Sequence, residues 1–220
     1  MNDVTEFDTA PDSPELDRFT FFERIVHWLV GVTFVLLLMG GFALSYPALF
    51  WMTAFFGGGA LARTLHPWIG LVFFVGMVFM FVLWLRDMFI DKSDMAWLRA
   101  VKHYARHERT LVPETGKYNG GQKVFYWAQS VLAVVFLITG LVLWFPDSLP
   151  VLGNASRNLT TTMRLLHYVS GLGAGLLLIV HVYLGTIAYP GTARGMLHGK
   201  VSRGWAKLHH PLWYREKTGA

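Results

Sequence analysis

Four stretches of this sequence are long, apolar and free of Asp, Glu, Lys and Arg, and they constrain the fold more than any other feature. They cover residues 28–46, 67–85, 124–145 and 165–189. Each is close to, or longer than, the ~20 residues that an α-helix needs to cross the hydrocarbon core of a bilayer. The sequence therefore predicts an all-α fold, an integral membrane four-helix transmembrane bundle.

The segments outside these stretches are short, so we expect any large catalytic domain to lie on partner proteins. Residues 1–20 are predicted to form a flexible acidic tail, residues 21–190 the transmembrane domain, and residues 191–220 a basic tail. The first 23 residues hold seven of the 14 acidic residues and no apolar core, so they are not expected to form a signal peptide.

The distribution of basic residues predicts the orientation. Sixteen of the 19 Lys and Arg residues lie before the first stretch, between residues 86 and 123, or after the last stretch. By the positive-inside rule, both termini and this loop are predicted to be cytoplasmic. The net charge of +5 then reflects topology and contact with anionic lipid, and no motif indicates a nucleic-acid partner.

Two shorter elements are expected outside the spans. Residues 91–102 are predicted to form an amphipathic helix on the membrane surface, and residues 61–66 a short interfacial segment before the second helix. The third apolar stretch contains no histidine. Its helix is therefore assigned to packing.

Four histidines lie inside or at the edge of the apolar stretches, each with a glycine four residues later: His27, His66, His167 and His181. Because four residues make about one helical turn, each imidazole has on its own face a position without a side chain, which leaves room for a flat ligand. Histidine within a membrane span is costly and usually functional. The chain has no cysteine, which excludes covalent haem attachment and thiolate iron–sulfur clusters. The pattern predicts two non-covalent b haems, each with two histidine ligands to its iron.

Depth in the membrane predicts which histidines pair. His27 is placed at the cytoplasmic start of the first helix, whereas His66 and His167 are placed near the outer starts of the second and fourth. His181 lies fourteen residues after His167, which is roughly 21 Å further along the helix and about 40° around it. We therefore expect His66 with His167 at an outer haem, and His27 with His181 at an inner haem.

Other charged and titratable residues near these positions have less specific roles. Arg24, Arg63 and Arg164 are candidates to neutralise haem propionates, or are ordinary interfacial arginines. The histidines of the polar loops and the C-terminal tail are predicted to be solvated or to face lipid: His103, His107, His198, His209 and His210.

The segment just before the third helix is a candidate quinone site. Asn119 and Gln122 have side chains that can hydrogen-bond a quinone carbonyl, and Gly120 and Gly121 permit a flat ring to approach the backbone. The alternative is an ordinary Asn-Gly-Gly turn.

Four strings resemble a known family: ERIVHW at 23–28, LARTLHP at 61–67, TGKYNGGQK at 115–123 and WAKLHHPLWYRE at 205–216. They are similar to the gamma subunit of respiratory formate dehydrogenase, a cytochrome b556, and the similarity extends over about residues 18–217. Cytochrome b subunits of nickel–iron hydrogenases share the helix plan and histidine spacing more loosely. The third and fourth strings favour formate dehydrogenase.

The resemblance implies an electron-transfer and quinone-reducing subunit that has no catalytic residue for formate itself. An iron–sulfur beta subunit and an alpha subunit with a molybdenum or tungsten pterin would dock on the periplasmic face, where formate is oxidised. Electrons would pass through the outer and then the inner haem to menaquinone or ubiquinone. The quinone would bind near Asn119, Gly121, Gln122 and His181, and its protons would come from the cytoplasm.

Three alternatives remain open to different degrees. The same module can serve a hydrogenase or another periplasmic oxidoreductase. A haem-free membrane anchor would keep the helices but has no need of four depth-paired histidines. A transporter would be expected to carry an acid or base within a span or a broken helix, and the four stretches contain no Asp, Glu, Lys or Arg.

Overall fold

The computed structural model describes residues 14–148 and 155–219. In chain order these residues form β1 (Glu15–Asp17), α1 (Phe21–Ser45), a 3-10 helix (Pro47–Phe56), α2 (Gly59–Trp84), a 3-10 turn (Leu85–Met88), α3 (Lys92–Arg99), α4 (Val101–Ala105), a 3-10 turn (Arg109–Leu111), α5 (Gly120–Trp144), α6 (Arg157–Tyr183), a π-helical turn (Leu184–Ala188), α7 (Arg194–His198), β2 (Lys200–Ser202), α8 (Arg203–His209) and α9 (Pro211–Thr218). The helices α1, α2, α5 and α6 are long and apolar enough to cross a membrane, which confirms the prediction of four spans.

The first residues of α1, α5 and α6 lie four to eight residues before the apolar stretches, at positions that capping residues set. Thr20 and Glu23 hydrogen-bond reciprocally at the start of α1, and Ser156 Oγ accepts from Leu159 N at the start of α6. These side chains satisfy backbone N–H groups that have no partner within the helix. The helices therefore begin at their caps, outside the apolar stretches.

The prediction of a separate interfacial segment over residues 61–66 is wrong, because α2 begins at Gly59 and includes them. Gly57 and Gly58, with φ of +83° and +108°, end the preceding 3-10 helix in a conformation that favours glycine. Pro67 lies inside α2 and removes a single N–H donor, and the helix continues past it. His66 is therefore the eighth residue of α2.

The described residues group into two units. One, which we call the bundle unit, comprises the described parts of residues 25–81 and 129–179. Its buried core draws on all four long helices and consists of Val30, Phe34, Phe73, Met77, Ala133 and Ala174. The rings of Phe34 and Phe73 stack with centroids 5.5 Å apart, and a Cβ added to Gly76 would lie 2.9 Å from Val30 Cγ2. Small residues thus allow the helices to approach closely.

The other unit, which we call the terminal unit, comprises the described parts of residues 1–24, 82–128 and 180–220. In it β1 pairs antiparallel with β2, with Leu16 opposite Val201. Val201 packs with Trp205, Ala206 and Trp213 in a second apolar core. The prediction of a flexible tail over residues 1–20 is therefore wrong for residues 15–17, because pairing with β2 orders them; residues 1–13 lie outside the described part of the chain.

The amphipathic helix predicted over residues 91–102 corresponds to α3 followed by α4. Asp91 caps α3 in a reciprocal arrangement with Asp94. Lys123 Nζ, at the start of α5, lies 2.6 Å from Asp94 Oδ2 and donates to Phe89 O at 3.0 Å. This buried ion pair holds α3 against the first turn of α5.

Candidate functional site

The structure brings His66 of α2 and His167 of α6 together inside the bundle unit. Their ring centroids are 6.3 Å apart and the ring planes are inclined by 64°. Two imidazoles can bind one metal ion from opposite sides. With metal–nitrogen bonds of about 2.0–2.1 Å, their ring centres are then roughly 6 Å apart. The spacing of this pair therefore fits two axial ligands of one haem iron.

His66 lies beside two glycine positions of α1. A Cβ added to Gly40 would lie 3.5 Å from His66 Nδ1, and one added to Gly41 would lie 3.5 Å from His66 Cε1. Two adjacent glycines of α1 thus let the ring approach that helix. His66 Nδ1 is buried and has no hydrogen-bond partner among the residues that the structure describes.

His167 has a defined hydrogen-bond partner on α5. Its Nδ1 lies 2.7 Å from Thr139 Oγ1, and Thr139 is 2% exposed. The ring also meets Phe136 edge to face, with centroids 5.3 Å apart. The helix α5 has no histidine of its own, yet it positions one that belongs to α6.

The glycines one turn after the two histidines leave open space, as the spacing predicts. A Cβ added to Gly171 would meet no described atom within 4 Å, and one added to Gly70 would meet only Leu37 Cδ2, at 3.9 Å. Both positions face the same side as the histidine that precedes them. A flat ligand between His66 and His167 would therefore find room on both helices, and the residues present fit a haem.

His27 and His181 lie in different units, and their predicted pairing stays a prediction. His27 follows the buried Val26 on α1, and its ring meets Trp28 edge to face. The ring of His181 stacks on Phe125, with centroids 4.7 Å apart and planes inclined by 9°. Gly31 and Gly185 are as open as Gly171.

The side chains of Asn119 and Gln122 form the N-cap of α5. Asn119 N donates to Gln122 Oε1 and Gln122 N donates to Asn119 Oδ1, both at 2.9 Å. These bonds use the amide oxygens, so the two NH₂ groups, the donors that a quinone carbonyl needs, make no hydrogen bond with the described residues.

Gly120 and Gly121, which lie between Asn119 and Gln122, allow α3 to pack close to α5. A Cβ added to Gly120 would lie 2.8 Å from Asp94 O, and one added to Gly121 would lie 2.9 Å from Trp97 Cη2. Both distances are too short for a side chain. The Gly-Gly step is therefore required for packing between α3 and α5, whether or not a quinone also approaches it.

Of the three candidate arginines, Arg63 and Arg164 are exposed, each three residues before His66 or His167 and so on the same helix face. Arg24 instead donates from Nε to Met196 O at 3.1 Å and from Nη2 to Leu197 O. Its side chain thus satisfies carbonyl groups near the C-terminal end of α7.

The prediction that His210 is solvated is wrong. His210 is 2% exposed; its Nδ1 donates to Gly116 O at 2.7 Å, and its Nε2 lies 3.2 Å from Arg18 Nη2. Arg18 also donates to Lys117 O at 2.7 Å. Burial and the charge of Arg18 hold the pKa of His210 well below its ordinary value, while burial lowers the pKa of Arg18 to about 10. His103, in contrast, is partly exposed beside Glu108, in agreement with the prediction.

Residues of the third and fourth strings contact each other in the terminal unit. Thr115 Oγ1 donates to His209 O at 2.9 Å, and the guanidinium of Arg18 lies over the rings of Trp205 and Trp213 at 4.8 and 5.1 Å. Residues that bear the resemblance therefore build the terminal unit. The sequence alone does not reveal this cluster, because its members are far apart in the chain.

A transmembrane bundle of four helices, with two facing histidines beside open glycine positions, defines the class of the protein as a membrane-bound b-type cytochrome. The family comparison agrees: the sequence model of the prokaryotic cytochrome b561 family matches residues 18–199. The chain belongs to the prokaryotic cytochrome b561 family, and membership of a cytochrome b family implies haem b.

Several curated relatives are similar over nearly the whole chain. The cytochrome b556(Fdn) subunit of the nitrate-inducible formate dehydrogenase of Escherichia coli (strain K12) is 35% identical over 202 residues, which cover 90% of each chain. The cytochrome b556(fdo) subunit of formate dehydrogenase from the same organism is 33% identical over 199 residues, 90% of this chain and 92% of the relative. The formate dehydrogenase cytochrome b556 subunit of Haemophilus influenzae is 32% identical over 200 residues, 89% and 80%. The resemblance inferred from the four strings is confirmed.

Proposed function

We propose that this chain is the membrane cytochrome b subunit of a respiratory formate dehydrogenase, passing electrons through two b haems to a quinone. The facing pair of His66 and His167 is the observation that carries the electron-transfer role. The assignment to formate dehydrogenase is supported by the names of relatives that match about 90% of the chain.

His66 and His167 would hold the iron of the outer haem. With two histidine ligands from the protein the haem would supply reversible one-electron transfer, because no position on the iron would be left for a substrate. Arg63 and Arg164, one turn before these ligands, neutralise the propionates.

His27 and His181 hold the inner haem. The same four-residue step to an open glycine supports this role, because a Cβ at Gly31 or Gly185 would meet nothing within 4 Å among the described atoms. Both termini and the loop at 86–123 are cytoplasmic, as the excess of Lys and Arg there indicates. The chain then resides in the bacterial inner membrane, with this haem on the cytoplasmic side.

Menaquinone or ubiquinone is reduced on that side, near Asn119, Gly121, Gln122 and His181. The amide NH₂ groups of Asn119 and Gln122 donate to a quinone carbonyl. Gln122 shares a helix face with Phe125, whose ring stacks on His181, so this face of α5 is directed toward the histidine. The two protons of quinone reduction are taken from the cytoplasm.

Formate is oxidised on another chain, a subunit with a molybdenum or tungsten pterin that docks with an iron–sulfur subunit at the periplasmic face. Electrons that move inward while protons are taken up from the cytoplasm generate membrane potential. This chain is therefore the quinone-reducing half of a redox loop.

Anaerobic addition of formate to membranes that contain the complete complex tests the proposal. We expect the α-band of reduced haem b to appear. Deletion of this chain should abolish quinone reduction but leave formate-to-dye electron transfer on the partner subunits. Hydrogen gas in place of formate is the matched control: reduction of the haems by hydrogen and not by formate would make the chain a hydrogenase subunit and overturn the assignment.

A further inference from the structure

We propose that Thr139 is a positioning residue for the outer haem: its hydroxyl fixes the tautomer and orientation of His167, so that Nε2 presents its lone pair to the iron. This inference rests on the proposed function, because it requires iron between His66 and His167. It assigns to α5, which has no histidine, a specific part in haem binding.

The direction of the hydrogen bond follows from the single proton of a hydroxyl group. Thr139 Oγ1 lies 2.7 Å from Val135 O, one turn back in α5, and can only donate to this carbonyl. Having used its proton there, the hydroxyl accepts from His167 Nδ1 at 2.7 Å. The proton of the neutral imidazole is therefore on Nδ1, and Nε2 is the nitrogen that is left to bind a metal.

The position of the His167 ring is fixed by neighbours of Thr139 on α5. Phe136 meets the ring edge to face at 5.3 Å, and a Cβ added to Gly140 would lie 3.9 Å from His167 Cε1. Because Thr139 is buried, water does not replace the hydroxyl if it is lost. The ring therefore has an apolar neighbour, a close backbone and one hydrogen-bond acceptor, all from one turn of α5.

The two proposed ligands of the outer haem therefore differ in the hydrogen bonding of Nδ1. His66 Nδ1 is buried and makes no hydrogen bond within the described structure, whereas His167 Nδ1 donates to Thr139. An imidazole that donates from its distal nitrogen is a stronger electron donor to its metal. Because a stronger donor favours ferric over ferrous iron, Thr139 lowers the midpoint potential of the outer haem.

Replacement of Thr139 by Val tests this inference, because Val has nearly the same shape and no acceptor. In the purified full chain with its haems we expect a positive shift of one midpoint potential, equivalent to about threefold or more in the ferric–ferrous equilibrium or about 28 mV for a one-electron couple. The g values of the corresponding low-spin haem in electron paramagnetic resonance should change, and haem affinity at that site should fall by roughly 10–100-fold. The other haem should be unaffected.

Thr33→Val is the matched control. Thr33 is also buried in a long helix of the bundle unit and donates to the carbonyl one turn back, Leu29 O, at 2.7 Å, but among the described residues its hydroxyl makes no hydrogen bond to a histidine. We expect this variant to leave both potentials unchanged. Thr139→Ser, which keeps the hydroxyl, should restore the original potential.

If Thr139→Val does not accumulate, Thr139→Ser and Thr139→Ala are compared, since they differ in the hydroxyl alone. Equal potentials and g values in that pair, or in Thr139→Val and the original chain, overturn the inference. Failure of the proposed function is a separate result: His167→Ala would then keep the haem count of the original chain, so His167 would not be a haem ligand that Thr139 could position.

Discussion

At the residue scale, His66, His167 and His210 differ in the partner that Nδ1 of each ring meets. His167 Nδ1 meets a hydroxyl 28 positions away in the chain, and His210 Nδ1 meets a carbonyl 94 positions away. His66 Nδ1 meets no hydrogen-bond acceptor in the described residues. Spacing in the sequence predicts that a histidine faces an open glycine, because both are on one helix. It cannot predict these partners, which are brought near by packing between distant segments.

Because His210 is neutral in the folded chain, we expect the terminal unit to be less stable at acidic pH than at neutral pH. Its pKa in the folded chain is well below 6.5, because of burial and the charge of Arg18, whereas the unfolded chain titrates near 6.5. The unfolded state therefore binds more protons below about pH 6.5, so the stability that the neutral ring provides is present above this pH and is lost as the pH falls.

Hydrogen exchange of residues 115–119 and 200–215, corrected for its intrinsic pH dependence, measures this effect. We expect faster exchange at about pH 5.5 than at about pH 7.5, and a smaller difference in His210→Asn, whose amide donates to Gly116 O without titrating. His103→Asn, at the exposed pair with Glu108, is the control and should keep the full difference. An unchanged pH dependence in His210→Asn would show that another group controls it.

At the element scale, caps and buried pairs decide where helices begin and what they pack against. Hydropathy locates the middle of each span, but Thr20, Asn119 and Ser156 set three of the four starts. A Thr or Asn followed three residues later by Glu or Gln is visible in the sequence, so the starts at Thr20 and Asn119 could have been predicted; Ser156 is followed three residues later by Leu159 and lacks this signature. The burial of Asp94 and Lys123 could not, because the pair forms only when α3 lies on α5.

Asp94→Asn is expected to detach α3 from α5. The side chains of Asp94 and Lys123 are 5% and 11% exposed, and removal of one partner of a buried pair leaves an uncompensated charge that costs about 3–5 kcal/mol. Asn keeps an oxygen that can cap α3, so the ion pair is the interaction that is lost. Limited proteolysis between residues 92 and 105 should become faster.

The double variant Asp94→Asn with Lys123→Met is the control for this prediction, because it removes both charges and should recover much of the resistance to protease. If the single variant is cut no faster than the original chain, the ion pair does not hold α3 in place.

At the scale of the whole molecule, the transmembrane part follows from local patterns and the terminal unit does not. Apolar stretches predict the four spans, and histidine–glycine steps predict the positions where a flat cofactor has room. The terminal unit depends on contacts among residues near 15–18, 115–119 and 200–213, such as the contact of Arg18 with Lys117 and His210. A charged residue near a chain end is ordinarily solvated, so only the folded structure reveals that Arg18 is buried.

The central claim, that this chain carries electrons across the membrane on two haems, is tested most directly by counting haem b in the purified, fully matured chain with the pyridine haemochrome assay. We expect two haems per chain, and one per chain when any one of His27, His66, His167 and His181 is replaced by Ala. A count of zero in the original chain, or of two after such a replacement, would contradict the account.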